Sequence, residues 1–219
     1  MAHKLSQDTV NEGIAFIMSK EGSKERKFKE SIELQVGLKD YDTQKDKRFA
    51  GSQKMPNMVR PKLKICLIGD AKHGMEHKSN NVDIDFIDLD ELKKFNKEKK
   101  PIKKWAKQYA LLIATDVLVK KIPVVLGPIL NRIGRFPQIA THNEPLQVQV
   151  DSIRSTVKFQ LKKVTCLACA IGTADMDEDQ IRQNLLLSLN FLVSLLKKGW
   201  HNLKSVNIKT TMGKPFRLI

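Results

Sequence analysis

Two kinds of strand occur in this chain, and the order in which they come constrains the fold more than any other feature. SIELQVGL places Ile32, Leu34, Val36 and Leu38 at alternate positions, the pattern of a strand with one buried face. KLKICLIGD is different. Ile65-Cys66-Leu67-Ile68 is an unbroken apolar run closed by Gly69-Asp70, as in a parallel strand covered on both faces. Beyond it, extended and helical stretches alternate: VDIDFIDL extended, LDELKKFNKEKK and PIKKWAKQY helical, ALLIATD extended, DVLVKKIP helical, then the turn-rich LGPILNRIGRFP. After VDSIRS the first kind of strand returns in STVKFQLKK and VTCLACAIG. A long amphipathic helix then begins near Asp177, acidic at its start with Lys197 and Lys198 at its end, as the helix dipole favours. Gly199 stops it, and NLKSVNIKTTMG is the last strand.

At the other end, Val10, Ile14 and Ile17 recur at helical spacing behind Ser6 and Asp8, which can cap the helix. SKEGSKERKFKE reads as a charged linker, and KDYDTQKDKRFAG as a basic loop leading through QKMPNMVRP. The economical arrangement is a mixed α/β (α+β) protein of two domains. Residues 1–63 and 155–219 form a discontinuous antiparallel α+β domain, and residues 64–154 form an inserted, Rossmann-like α/β domain.

Charge narrows the function. Lys plus Arg number 39 against 24 Asp plus Glu in 219 residues, a formal net charge of +15, which favours a polyanionic partner. No stretch is long and apolar enough to span a bilayer, so a membrane partner is not expected. The start MAHKLSQDTVNEG lacks the apolar core of a secretory signal, and three cysteines cannot all pair, so a reduced, cytosolic protein is expected.

Several patterns suggest chemistry without carrying it. His73-Gly-Met-Glu-His77 spells H-x-x-E-H, in which helical histidines hold zinc and the glutamate activates water. Here Gly74 interrupts a segment that reads as a loop, and no third ligand is evident. Cys166 and Cys169 lie three apart on an expected strand, where their side chains point to opposite faces. The glycines at 69, 74, 127 and 134 spell no nucleotide-binding fingerprint. The lysines from Lys93 to Lys107 read mainly as solvated helix faces, with Leu92, Phe95, Ile102 and Trp105 turned inward. No catalytic residue, metal or cofactor is expected, and the protein is read as a non-enzyme.

RKFKESIEL, KDKRFAG, LGPILNRIGRFPQIATHNE, STVKFQLKKV, NFLVSLLKKGW and IKTTMGKPFRL, in that order, resemble the eukaryotic cytosolic, L-ten-a form of the universal L-one family of large-subunit ribosomal proteins. The resemblance covers almost the whole chain. It implies a monomer within the ribosome whose discontinuous domain binds the rRNA of a mobile stalk. The stalk assists movement and release of deacylated tRNA at the exit site. A stand-alone RNA-binding translational regulator using the same surface is the alternative.

The resemblance also implies the RNA-facing residues. Thr211, Met212 and Gly213, with Thr210 beside them, form one segment. Threonine hydroxyls can bond 2′-OH and phosphate oxygens, and a residue without Cβ lets a sugar-phosphate chain approach. Met212 either packs on a ribose or base face or covers the core. The second segment is Phe28 to Ser31. Phe28 either faces RNA or packs on the first helix, and Glu30 either accepts from a base amine or 2′-OH or orients a basic neighbour. Lys47, Arg48 and Lys158 are the expected phosphate contacts. Gly127-Pro128-Ile129-Leu130 departs from the bacterial Gly-Pro-Arg-Gly, with Arg132 and Arg135 following, so a packing turn and an RNA contact are both open there.

Overall fold

The computed structural model describes residues 5–19, 26–80 and 82–219. The chain divides into two compact units, Met1–Pro61 with Ile153–Ile219 and Lys62–Ser152. In chain order the first unit opens with α1 (Gln7–Met18), β1 (Ser31–Leu38) and β2 (Ala50–Lys54). The second holds β3 (Ile65–Ile68), α2 (Ala71–Asn80), β4 (Asp85–Ile87), α3 (Leu89–Lys93), α4 (Lys99–Gln108), β5 (Leu111–Thr115), α5 (Asp116–Val119), α6 (Ile122–Leu126), α7 (Ile129–Ile133) and β6 (Gln138–Ala140). Helix α8 (Leu146–Ser155) runs through the division. The first unit resumes with β7 (Thr156–Gln160), β8 (Cys166–Thr173), α9 (Glu178–Leu195), a 3-10 turn Gly199–Asn202, β9 (Leu203–Thr210) and β10 (Phe216–Arg217).

In the first unit an antiparallel sheet runs β10-β9-β1-β8, and β2 pairs with β7 separately. Alternation in β1 buries Ile32, Leu34, Val36 and Leu38. They share one core with Val10, Ile14 and Ile17 of α1 and with Ile181, Leu185, Leu189 and Leu192 of α9. Ser6 caps α1 as expected, its Oγ accepting from the Thr9 N–H at 3.1 Å. The second unit carries a parallel sheet, β4-β3-β5-β6, and β3 is buried at all four positions. Its apolar side chains meet Leu92, Ile102, Trp105 and Ala106 of α3 and α4, whose lysines face outward.

Several elements differ from the sequence reading. β2 lies where a loop was expected. AGSQK has no apolar face of its own, and its pairing with β7 specifies it. The expected turn before Pro137 holds α7, and β6 and α8 were not foreseen. Leu146 and Val150, four apart, are the buried apolar residues of α8. The stretch after Lys93 leaves the helix through Asn96 and Lys97, at φ of 46° and 60°, before α4 begins. Pro101 sits in the first turn of α4, where its missing N–H costs nothing. Helix α9 ends at Leu195, ahead of Lys197 and Lys198, and Gly199, at φ 55°, opens the 3-10 turn.

Candidate nucleic-acid interface

The last strand does not contain the Thr-Met-Gly segment. β9 ends at Thr210, the partner of Ile32 in β1, and residues 211–213 turn back toward β10. The turn is tied down from three sides. The Thr211 hydroxyl accepts from the Ser31 N–H at 3.0 Å and donates to the Ser31 carbonyl at 3.2 Å, so it continues the ladder where backbone pairing stops. The Glu30 carboxylate accepts from the Met212 N–H at 3.0 Å. The Gly213 N–H donates to the Thr210 carbonyl at 3.3 Å. On its other flank the Glu30 carbonyl accepts from the Ala174 N–H at 2.9 Å, and Lys29 pairs with Asp175.

This lattice holds two large apolar side chains in solvent: Met212 is 60% exposed and Phe28 is 53% exposed. Each stood between a surface and a core position in the sequence, and both are on the surface. Arg26, Lys27 and Lys214, all exposed, flank them along the chain.

Three expected contacts change character. Thr210 is 1% exposed and follows Val206 and Ile208 on the inner face of β9, so its side chain does not present itself to a ligand. Glu30 is 5% exposed and its carboxylate engages Met212, so it orients backbone. Thr211 has spent its proton on the Ser31 carbonyl. A hydroxyl in that state offers only a lone pair, which suits a 2′-OH donor and not a phosphate oxygen.

Lys47, Arg48 and Lys158 belong to a different part of the first unit. All three are exposed. Lys158 lies on β7 opposite Ser52, and Lys47 and Arg48 lead into β2, the partner of β7. Sequence reasoning missed what shapes their loop. Asp42 Oδ1 accepts from the Gln44 and Lys45 N–H groups at 2.9 and 3.3 Å, and the Tyr41 hydroxyl donates to the Lys47 carbonyl at 3.2 Å. Asp46 pairs with Lys197, whose ammonium also lies 5.7 Å from the Tyr41 ring centre. The hydrogen bond from Lys197, and then the Asp42 backbone, hold the Asp46 carboxyl below its ordinary 3.8. The signal was Asp42 and Asp46 in helical spacing inside a basic stretch.

In the second unit the H-x-x-E-H segment is helical, contrary to expectation, yet its residues diverge. His77 Nε2 lies 2.7 Å from the Ile84 carbonyl oxygen, and the Glu76 carboxylate accepts from the Leu146 N–H at 2.7 Å. Gly74 packs so closely on Phe86 that a Cβ would lie 3.1 Å from its ring. Gly127 and Gly134, at φ of 70° and 74°, follow the ends of α6 and α7. Arg135 donates to the Ala106 carbonyl at 3.2 Å, while Arg132 stays exposed.

Relatives match this chain in sequence over nearly their full length. The profile of the family described as "Ribosomal protein L1p/L10e family" matches residues 19–214. The "Large ribosomal subunit protein uL1" of Caenorhabditis elegans is 51% identical over 215 residues, 98% of this chain and 99% of that protein. That of Drosophila melanogaster is 49% identical over 218 residues, covering 100% of both chains. That of Oryza sativa subsp. japonica is 49% identical over 215 residues, 98% of this chain and 99% of the relative. Agreement at this level over whole chains shows that the protein belongs to the ribosomal protein L1p/L10e family.

Proposed function

We propose that the chain is a structural constituent of the cytosolic large ribosomal subunit, acting by binding and positioning with no bond made or broken. The domain formed by residues 1–63 and 155–219 binds the rRNA of the mobile stalk. Through that stalk the protein assists the movement and release of deacylated tRNA at the exit site. The inserted domain, 64–154, offers the exposed lysines of α4 as a basic face of its own.

The observation that carries the reading is the turn at Met212. A folded chain gains nothing from holding Met212 and Phe28 in water on a segment braced by Glu30, Ser31 and Thr211. A ligand that is anionic at its rim and apolar on its ribose and base faces gains from both the side chains and the flanking cations.

The test is an affinity titration against a short stalk-rRNA fragment over a range of salt, with an unrelated RNA duplex as competitor. Counterion release makes any basic protein bind RNA, and that part fades steeply with salt. Binding that survives salt and competitor supports the proposal. Weak binding, equal for both RNAs and lost with salt, overturns it.

A further inference from the structure

At the carboxyl ends of the parallel strands, three segments bring ligating groups together. Asp70 follows β3, Thr115 ends β5, and His142 follows β6, while His73 stands in the first turn of α2. This edge is where open α/β sheets hold ligands. One ligating atom each from Asp70, His73 and His142 all lie within 4.8 Å of one another. Asp70 Oδ2 is 3.5 Å from His142 Nε2, and Asp70 Oδ1 is 3.9 Å from His73 Nδ1. His73 is 0% exposed. Its Nδ1 lies 2.8 Å from the Thr115 hydroxyl, but its Nε2 and the Asp70 Oδ1 are buried without a hydrogen-bond partner. Buried polar atoms are rarely left so, and an orphan in a cluster of two imidazoles and a carboxylate calls for a ligand.

We propose that Asp70, His73 and His142 bind a transition-metal ion of the Zn2+ class. Two imidazole nitrogens with one carboxylate oxygen are a donor set that suits such an ion. Ligand atoms around tetrahedral zinc stand about 3.3 Å apart, so a cluster whose ligating atoms lie within 4.8 Å of one another closes by no more than about 1.5 Å. The site also states its own requirement. The two rings are stacked with centres 4.0 Å apart and planes at 19°, and an ion in the plane of one lies off the plane of the other. His142 therefore leaves the stack on binding, as its exposed loop position permits. His77 of the H-x-x-E-H pattern takes no part.

The experiment uses the full chain, freed of metal and titrated with Zn2+ by calorimetry and with Co2+ by its visible absorption. One equivalent is expected, with His142→Ala and Asp70→Asn each weakening binding at least about ten-fold. His201→Ala and Cys166→Ser, both at exposed positions outside the cluster, leave it unchanged. Thermal melts of each variant confirm that it is folded, and His142→Ala is the variant least able to disturb the core. Absence of stoichiometric binding to the wild type, or wild-type affinity in either ligand variant, overturns the proposal.

Discussion

Glu30 is a buried carboxylate that braces the turn of the proposed RNA site from inside. Its oxygen fixes the Met212 N–H, and so sets the direction in which Met212 projects. Glu30→Ala leaves that donor without its acceptor and is expected to cost about 1–3 kcal/mol in denaturant unfolding, with a parallel loss of RNA affinity. Glu30→Gln keeps an acceptor and restores most of both. A loss of affinity in Glu30→Gln as large as in Glu30→Ala would mean that RNA meets the charge directly. Met212→Ala is the opposite case. At 60% exposure it changes stability by no more than about 0.5 kcal/mol, while stalk-rRNA affinity falls roughly five-fold, as for half a methionine removed from a contact. The thiols separate the same way. Burial pushes Cys66 and Cys169 up to about 12, whereas Cys166 is exposed. At pH 8 a thiol reagent should label exposed Cys166 quickly, half-buried Cys169 slowly and buried Cys66 only on unfolding. The oddness of Met212 and Phe28 was legible in the sequence, because Phe28 stood among charges and Met212 between Thr211 and Gly213. The family resemblance reads Thr210 as RNA-facing, although its alternation with Val206 and Ile208 turns it inward. The Glu30–Met212 bond was not legible, because it joins residues from opposite ends of the chain.

Elements whose own residues specify them were readable, and elements specified by a neighbour were not. β1 and β3 declare themselves by alternation and by a full apolar run. β2 is a strand only because β7 lies beside it, with Gly51 so near α9 that a Cβ would meet Leu195 and Phe191 at 2.9 Å. The loop entering β2 illustrates what an element contributes to the candidate interface. Lys197 tethers it through Asp46, whose lowered folded pKa means the tether is complete above 3.8 and is lost as pH falls through the folded value. Asp46→Asn removes a negative charge, which by electrostatics alone would strengthen RNA binding. If the tether places Lys47 and Arg48, affinity falls instead, and an increase would show that these cations act only as diffuse charge. Helix α9 carries a similar test inside the core. Asn184 is buried and donates to the carbonyls of Ile171 at 2.9 Å and Asn57 at 3.3 Å, so it joins the helix to β8 and to the segment after β2. Asn184→Ala strands those groups at about 1–3 kcal/mol each, lowering the urea midpoint with an unchanged slope.

At the scale of the whole molecule, net charge and shaped contact make opposite demands on an assembly experiment. A formal charge of +15 draws the chain to any RNA at low salt, and the larger share of that excess lies in the unit built from both termini. In about 1 M salt the screening length shrinks to about 3 Å, so attraction between separated charges is gone. What persists there must come from packing and directed hydrogen bonds, of the kind proposed for the braced Met212 turn. The chain is therefore expected to remain with large ribosomal subunits through a high-salt wash. The folded double variant Thr211→Val with Met212→Ala, which keeps every charge, is expected to wash off. Retention of both proteins would move the anchoring surface away from the turn. Loss of both, with the wild type folded and binding stalk rRNA in isolation, would favour a regulator that uses the same surface outside the ribosome.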